Sequence, residues 1–268
     1  MLHLHGPLNY IIDSKIRLSA IERVASLQLQ EDYDNAGYQV GNPEAEVSRI
    51  LTCLDITEKT VENAIASGCQ LIVAHHPLLF RAVKKITPND YISRTIMKAI
   101  KADITLYAAH TNLDNAFGGV NYKIAERLGL NDVKILAPLP SSRLSGVANA
   151  DKCGSGVIGI LEEPLSAKDF VEKVRDTFHC ECIRTNGIEQ ENIKRVALCG
   201  GSGSEFISEA EKQCADVFLS GEIGYHRFFG HDNILIVEAG HYETEQYTKD
   251  LLKEIIEKEY PEVTIIVD

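Results

Sequence analysis

Two similar α/β lobes are what this 268-residue chain predicts, and three features predict them. Apolar runs of strand length alternate with helix-period segments, the signature of βαβ units. A pattern recurs: Arg49-Ile50-Leu51-Thr52-Cys53, a helix and Cys69-Gln70-Leu71-Ile72-Val73 resemble Arg195-Val196-Ala197-Leu198-Cys199, a helix and Cys214-Ala215-Asp216-Val217-Phe218. Each half then carries an apolar strand that runs into His-x-x-x-acid, as His110…Asp114 and His241…Glu245.

The elements follow in order. Ser19-Ala20-Ile21-Glu22 reads as a capping box opening a helix through Leu27. Ile50–Leu54 is a buried strand, Glu58–Ser67 a helix stopped by Gly68, and Leu71–Ala74 a second buried strand. Tyr91–Ile100 is a helix, Ile104–Ala109 a strand, and Val120–Leu128 a helix ended by Gly129. Pro138-Leu139-Pro140-Ser141-Ser142 is the best linker. Beyond it come strand Val157–Leu161, a helix opened by Ser166, strands near Cys180–Arg184 and Arg195–Cys199, and helix Glu205–Lys212. Strands Val217–Leu219 and Ile234–Val237, a helix over Glu245–Ile256 and a strand Val263–Val267 complete the chain. The first lobe is therefore expected over residues 1–130, completed by the C-terminal helix and strand at 245–268, and the second over 131–244.

Net charge is −12 with a pI near 5.2. That argues against a duplex nucleic-acid binder, whose affinity needs Lys and Arg on phosphates, and against an anionic membrane surface. No apolar run approaches the roughly 18 residues of a membrane span, and the first residues lack a secretory pattern. Seven scattered cysteines, several inside apolar runs, suit a reduced, cytoplasmic protein.

The chemistry concentrates at strand ends. Leu71-Ile72-Val73-Ala74-His75-His76-Pro77 puts two imidazoles where open α/β sheets bind ligands, and Pro77 takes the chain out of the ladder so that both rings can converge. The alternative is two histidines that merely cap a strand. In His110-Thr111-Asn112-Leu113-Asp114, Asp114 offers a hard oxygen ligand, while His110 could ligate, orient a ligand or move protons; Asn112 and Asp114 could equally be turn formers before Gly118-Gly119. His241 and Glu245 share one face of a helical turn, with Glu243 turned away to solvent. Three imidazoles and two carboxylates suit Zn, Mn, Fe, Co or Ni rather than Ca or a thiolate site, and two such ions about 3.5–4 Å apart are the usual hydrolytic arrangement. The expected fold thus holds two divalent metal ions in a cleft between its lobes.

Secondary features are weaker. The Gly200-Gly201-Ser202-Gly203 loop could cradle an anion or simply form a tight turn. His226 could contact substrate from the second lobe or be an ordinary surface histidine. Cys180-Glu181-Cys182 lacks the spacing of a metal site.

The segments His75-His76-Pro77-Leu78-Leu79-Phe80, His110-Thr111-Asn112-Leu113-Asp114 and Gly240-His241-Tyr242-x-x-Glu245 resemble the GTP cyclohydrolase I type 2 homologues, also described as NGG-interacting-factor-like dinuclear metal-centre proteins. Tyr33–Gly41 is similar to that family's N-terminal motif, with Tyr33 where Trp is usual; Leu54-Asp55-Ile56-Thr57 and Ser220-Gly221-Glu222-x-x-Tyr225-His226 also fit. The resemblance runs from Ile16 to the C-terminus and leaves residues 1–15 outside it. It implies His75, His76, Asp114, His241 and Glu245 as ligands of two metal ions, and a ring-shaped homohexamer. The short Pro138–Ser155 connection implies that the extra domain some members carry is absent. The family name implies hydrolytic opening of the guanine imidazole ring of a nucleotide, with His110 or His226 moving protons. A metal-handling or regulatory ring without catalysis is the alternative.

Overall fold

The computed structural model describes residues 12–268. Residues 1–7, read from the sequence as free of a secretory pattern, lie outside the described residues. The chain divides into two compact units: one takes the chain up to Arg23, Asn35–His110 and Leu252–Asp268, the other Val24–Asp34 and Thr111–Leu251.

In the first unit the elements run β1 (Ile12–Asp13), α1 (Ser14–Val24), β2 (Gly37–Val40), β3 (Glu46–Val47), β4 (Arg49–Cys53), α2 (Glu58–Ala66), β5 (Leu71–Ala74), α3 (Tyr91–Lys101) and β6 (Thr105–Ala108). The main sheet has the order C-terminal strand Thr264–Val267, β4, β5, β6, β2; all pairs are parallel except β2 with β6. Leu71-Ile72-Val73-Ala74 is buried throughout, as a strand covered on both faces must be. Leu51, Ile72, Ala74 and Leu106 pack with Val61 and Ala64 of α2 and Ile96 and Ala99 of α3; each larger aliphatic side chain so buried contributes about 1.5–3 kcal/mol. The Thr57 hydroxyl accepts the Thr60 N–H at 3.1 Å to start α2, and Gly68, at φ +66°, follows its end.

One expectation fails here. The first helix begins at Ser14, not behind Ser19. Leu18, Ile21 and Ala25 are buried at helical spacing, so the apolar stripe carries the helix past the capping pattern, and the Ser19 hydroxyl meets that of Tyr260 at 3.4 Å. Ser26 instead starts a short 3-10 turn, accepting the Gln28 N–H.

The second unit contains α4 (Thr111–Asp114), α5 (Val120–Leu128), β7 (Leu130–Pro138), β8 (Gly154–Leu165), α6 (Ala167–Phe178), β9 (Arg184–Thr185), β10 (Ile193–Ser202), α7 (Ile207–Lys212), β11 (Val217–Glu222), β12 (Leu235–Glu238) and α8 (His241–Glu245). Its sheet order is β7-β8-β10-β11-β12-β9, with β10, β11 and β12 parallel and the other pairs antiparallel. Strand β7 was not expected from the sequence. Asp132 at φ +50° and a register shift between Asn131 and Lys134 break its alternation. The chain thus changes unit after His110 rather than near residue 130, because α5 packs on β8 and β10. Of the Cys180–Arg184 segment only Arg184 is strand, the first residue of β9: His179, at φ +57°, ends α6, and the Cys180 N–H bonds back to the Arg175 carbonyl. The helix expected over Glu245–Ile256 is two pieces, α8 and Thr248–Glu259.

The repeat is visible in register. Ile50 pairs with Leu71, and Val196 with Val217. The Ala109 N–H reaches the Ala74 carbonyl at 2.9 Å, as Ala239 reaches Ser220 at 2.9 Å. Both units are thus built on the same three-strand parallel frame.

Candidate metal-binding groups

In the first unit, β5 does not release the chain at Ala74. The His75 N–H donates to the Cys53 carbonyl at 3.2 Å and the His76 N–H to that of Leu54 at 3.0 Å, so both residues hang on the exit of β4 before Pro77 turns away. His75 is fully buried, and its Nδ1 lies 2.8 Å from the Ala109 carbonyl oxygen. A carbonyl only accepts, so Nδ1 carries the proton and, in the neutral ring, Nε2 holds the lone pair. His76 Nδ1 faces the Asp55 carboxylate at 2.8 Å. His110 stands just past β6. The three rings lie 4.8–5.5 Å apart between centroids, and each offers a ligand atom within 4.8 Å of the others. That spacing could hold a metal ion.

In the second unit, α4 opens directly on leaving β6. The Thr111 N–H and hydroxyl donate to Asp34, and the Asn112 amide donates to the Ala25 carbonyl at 2.8 Å. Asn112 is fully buried, so it braces the turn rather than forming a surface bend. The Asp114 carbonyl is held by the Asn121 amide at 3.0 Å. Beyond β12, Gly240 at φ +98° admits α8. There His241 Nε2 lies 2.9 Å from Glu245 Oε2 while its Nδ1 lies 3.1 Å from Glu222. Glu245 is 4% exposed. Glu243 joins no group of ligating side chains among the described residues; its carboxylate lies over Gly240.

The glycine loop serves this pair. A Cβ on Gly201, at φ +57°, would stand 2.3 Å from Glu245 Oε1 and 3.1 Å from His241 Nε2. Only glycine lets the loop approach so closely. The N–H groups of Gly200, Gly201 and Gly203 donate to Asn121, Thr244 and Ser220, so the loop is a tight packing device, with those three donors engaged internally rather than cradling an anion. Burial, then the charges of Asp114, Glu205 and Glu245, push the Cys199 thiol well above its usual range. Burial first, then Glu31, Glu205, Asp34 and Asp114, push the Tyr33 phenol up to about 12. Asp114 and Glu245 therefore share one acidic neighbourhood of this unit.

His226 lies exposed on the turn Tyr225–Phe228, against the rings of Tyr225 and Phe229; among the described residues it joins no group of ligating side chains. Asp55 and Glu222, which face His76 and His241, were not singled out as carboxylates that orient imidazoles. Their signal was position: Glu222 is the last residue of β11 and Asp55 stands two residues past β4, both at the carboxyl ends of parallel strands. No disulfide joins cysteines among the described residues, and none of the described helices is long and apolar enough to cross a membrane.

A repeated α/β frame whose strand ends carry imidazoles and carboxylates is a scaffold whose side-chain groups could hold metal ions. The chain belongs to the Duf34/NIF3 (NGG1p interacting factor 3) family, whose model matches residues 14–268. Relatives named GTP cyclohydrolase 1 type 2 homolog include one from Clostridium acetobutylicum, 35% identical over 84% of this chain and 82% of its own length, and one from Lactococcus lactis, 34% identical over 82% of each. Among solved structures, a Bacillus cereus protein related to NIF3 superposes with TM-score 0.85 at 26% identity, covering 96% of this chain and 97% of that one. A Staphylococcus aureus protein gives 0.85 at 25% identity, covering 96% of each.

Proposed function

We propose that His75, His76, Asp114, His241 and Glu245 together hold two divalent cations, and that the protein is a metal-dependent hydrolase acting on a nucleotide or related heterocycle. One observation carries the reading. Each of three imidazoles has Nδ1 turned to an oxygen acceptor, namely Ala109, Asp55 or Glu222. That aims Nε2 of His75 and His76 as ligand atoms, the outer-sphere pattern of metal-binding histidines, while His241 Nε2 meets the Glu245 carboxylate, the other donor proposed on its helical turn. The donor set fits the ions: mixed nitrogen and carboxylate oxygen suits Zn, Mn, Fe, Co or Ni. The names of the relatives support the substrate class.

When bound, such ions polarise a carbonyl or amidine and make water acidic enough to attack near neutral pH. The chain's own part is to position and to move protons. Asp55 and Glu222 hold their imidazoles in aim, and the Gly201 loop encloses the Glu245 carboxylate. His110, within the imidazole group, takes a proton from the attacking side, and His226 returns one to the leaving nitrogen. The same reading includes a homohexamer acting in the cytoplasm.

Elemental analysis and anomalous scattering on untreated protein should find two ions per chain, and His75→Ala or Glu245→Ala should lose at least one while the fold persists. Metal-loaded protein is then given GTP, phosphoesters and cyclic amides. An absence of metal at these residues removes the reading. Metal that exchanges reversibly without any turnover would replace hydrolysis by metal handling.

A further inference from the structure

We infer that Arg81, Lys84 and Lys85 form an arm that seats the phosphate of an anionic small-molecule substrate beside the imidazole group; this deepens the hydrolase reading and rests on it. From Phe80 to Tyr91 every residue is exposed. The segment nevertheless has fixed attachments. Leu79, just before it, accepts from the Asn35 amide at 2.8 Å and donates to the Gln39 side chain at 3.1 Å. The Phe80 ring stands edge-on to His110 with centroids 6.0 Å apart, which fixes the start of the arm at the ligand cluster. At the far side, Arg94 donates to the Pro88 carbonyl at 3.3 Å.

The charges on this arm are at odds with the chain. The molecule carries a net charge of −12, yet Arg81, Lys84 and Lys85 face a single acid within the segment. That acid, Asp90, is turned into the start of α3, where the Ser93 N–H and hydroxyl at 2.8 and 2.9 Å hold its carboxyl below the usual range. No carboxylate pairs with Arg81, Lys84 or Lys85 among the described residues, whereas Arg94 and Lys98 of the adjoining helix are matched to Glu58 and Glu62. Three cations without a carboxylate partner, on an arm whose first residue, Phe80, touches His110, form an anion-recognition device: a forked guanidinium and two ammonium groups suit phosphate oxygens. They also offset the repulsion that an acidic molecule exerts on an anionic substrate. A long polyanion is disfavoured, because three contacts would have to overcome the charge of the rest of the surface.

The test is isothermal titration of the full-length, metal-containing protein with inorganic pyrophosphate, with metal content measured before and after. Wild type should bind saturably, and more weakly as salt rises, since the cations are exposed. The triple variant Arg81→Gln, Lys84→Gln, Lys85→Gln should bind at least tenfold more weakly with unchanged metal content and far-ultraviolet dichroism. Equal binding by variant and wild type, or no binding by wild type, overturns the inference. So does a change of oligomeric state in the variant, which would make the arm a contact between copies of this chain. Loss of the metal reading is a separate result, read from the elemental analysis alone.

Discussion

Replacing Gly201 with alanine separates what the glycine loop does for the backbone from what it does for the proposed metal ligands. Gly201 sits at φ +57°, and a left-handed conformation costs an L-residue about 1–2 kcal/mol. At roughly 2–4 °C per kcal/mol for a chain of this size, Tm should fall by about 2–8 °C. The added methyl group does more than strain the chain. It would stand 2.3 Å from Glu245 Oε1, where ordinary contact begins near 3.4 Å, so the carboxylate must retreat by about 1 Å. Metal–ligand distances hold to about 0.2 Å, so Gly201→Ala should lose at least one equivalent of metal. Gly129→Ala is the matched control: Gly129 has φ +70° with nothing within 4 Å of an added Cβ. It should show a similar fall in Tm by calorimetry with full metal content by elemental analysis. If both variants keep the same metal, the Gly201 loop does not shape the ligand pair and the reasoning fails.

Removing the orienting carboxylates, by Asp55→Ala or Glu222→Ala, should weaken metal affinity about ten- to hundredfold in a competitive chelator titration; both are well exposed, so thermal stability should barely move. Asn112→Ala leaves the buried Ala25 carbonyl without its donor, and urea unfolding should show a loss of about 1–3 kcal/mol. The Tyr33 phenol is raised from 10.0 to about 12, so the folded state holds that proton more tightly than the unfolded chain. Its contribution is complete below pH 10 and is lost as pH rises through about 12. Tyr33→Phe should therefore flatten that part of the stability curve, and an unchanged slope would contradict the assignment.

The parallel frame was legible because its strands are buried on both faces, and continuous apolar runs such as Leu71–Ala74 and Leu235–Val237 have few other uses. The histidines at the strand ends were legible for the complementary reason, since imidazoles ending an apolar strand need partners. Strand β7 was not, because the turn at Asp132 erases the two-residue period before the other residues can establish it. The helix start at Ser14 was hidden by a local capping pattern, which tertiary burial of Leu18 and Ile21 overrides. Asp55 and Glu222 could be placed at strand ends but not given a role: whether a carboxylate orients an imidazole depends on side-chain geometry that sequence spacing does not encode.

The two halves of the repeat carry different chemistry on one frame, and the difference bears on reactivity. The first unit brings three imidazoles, His75, His76 and His110, a ligand type that binds a cation without cancelling its charge. The second brings Asp114 and Glu245 with a single imidazole, and Glu245 is almost fully buried. A buried carboxylate is costly unless matched by positive charge, so the second unit has the stronger electrostatic need for an ion. Under the proposed shared ligand set, two divalent ions meet two anionic ligands, and a net charge of about +2 remains to draw an anion or acidify water. Glu245→Gln raises that residual charge by about one unit while nearly preserving shape. Its metal affinity should fall, and any ion that stays should bind pyrophosphate more tightly than wild type does. Weaker pyrophosphate binding at equal metal content would show that the carboxylates do not set the charge seen by a ligand.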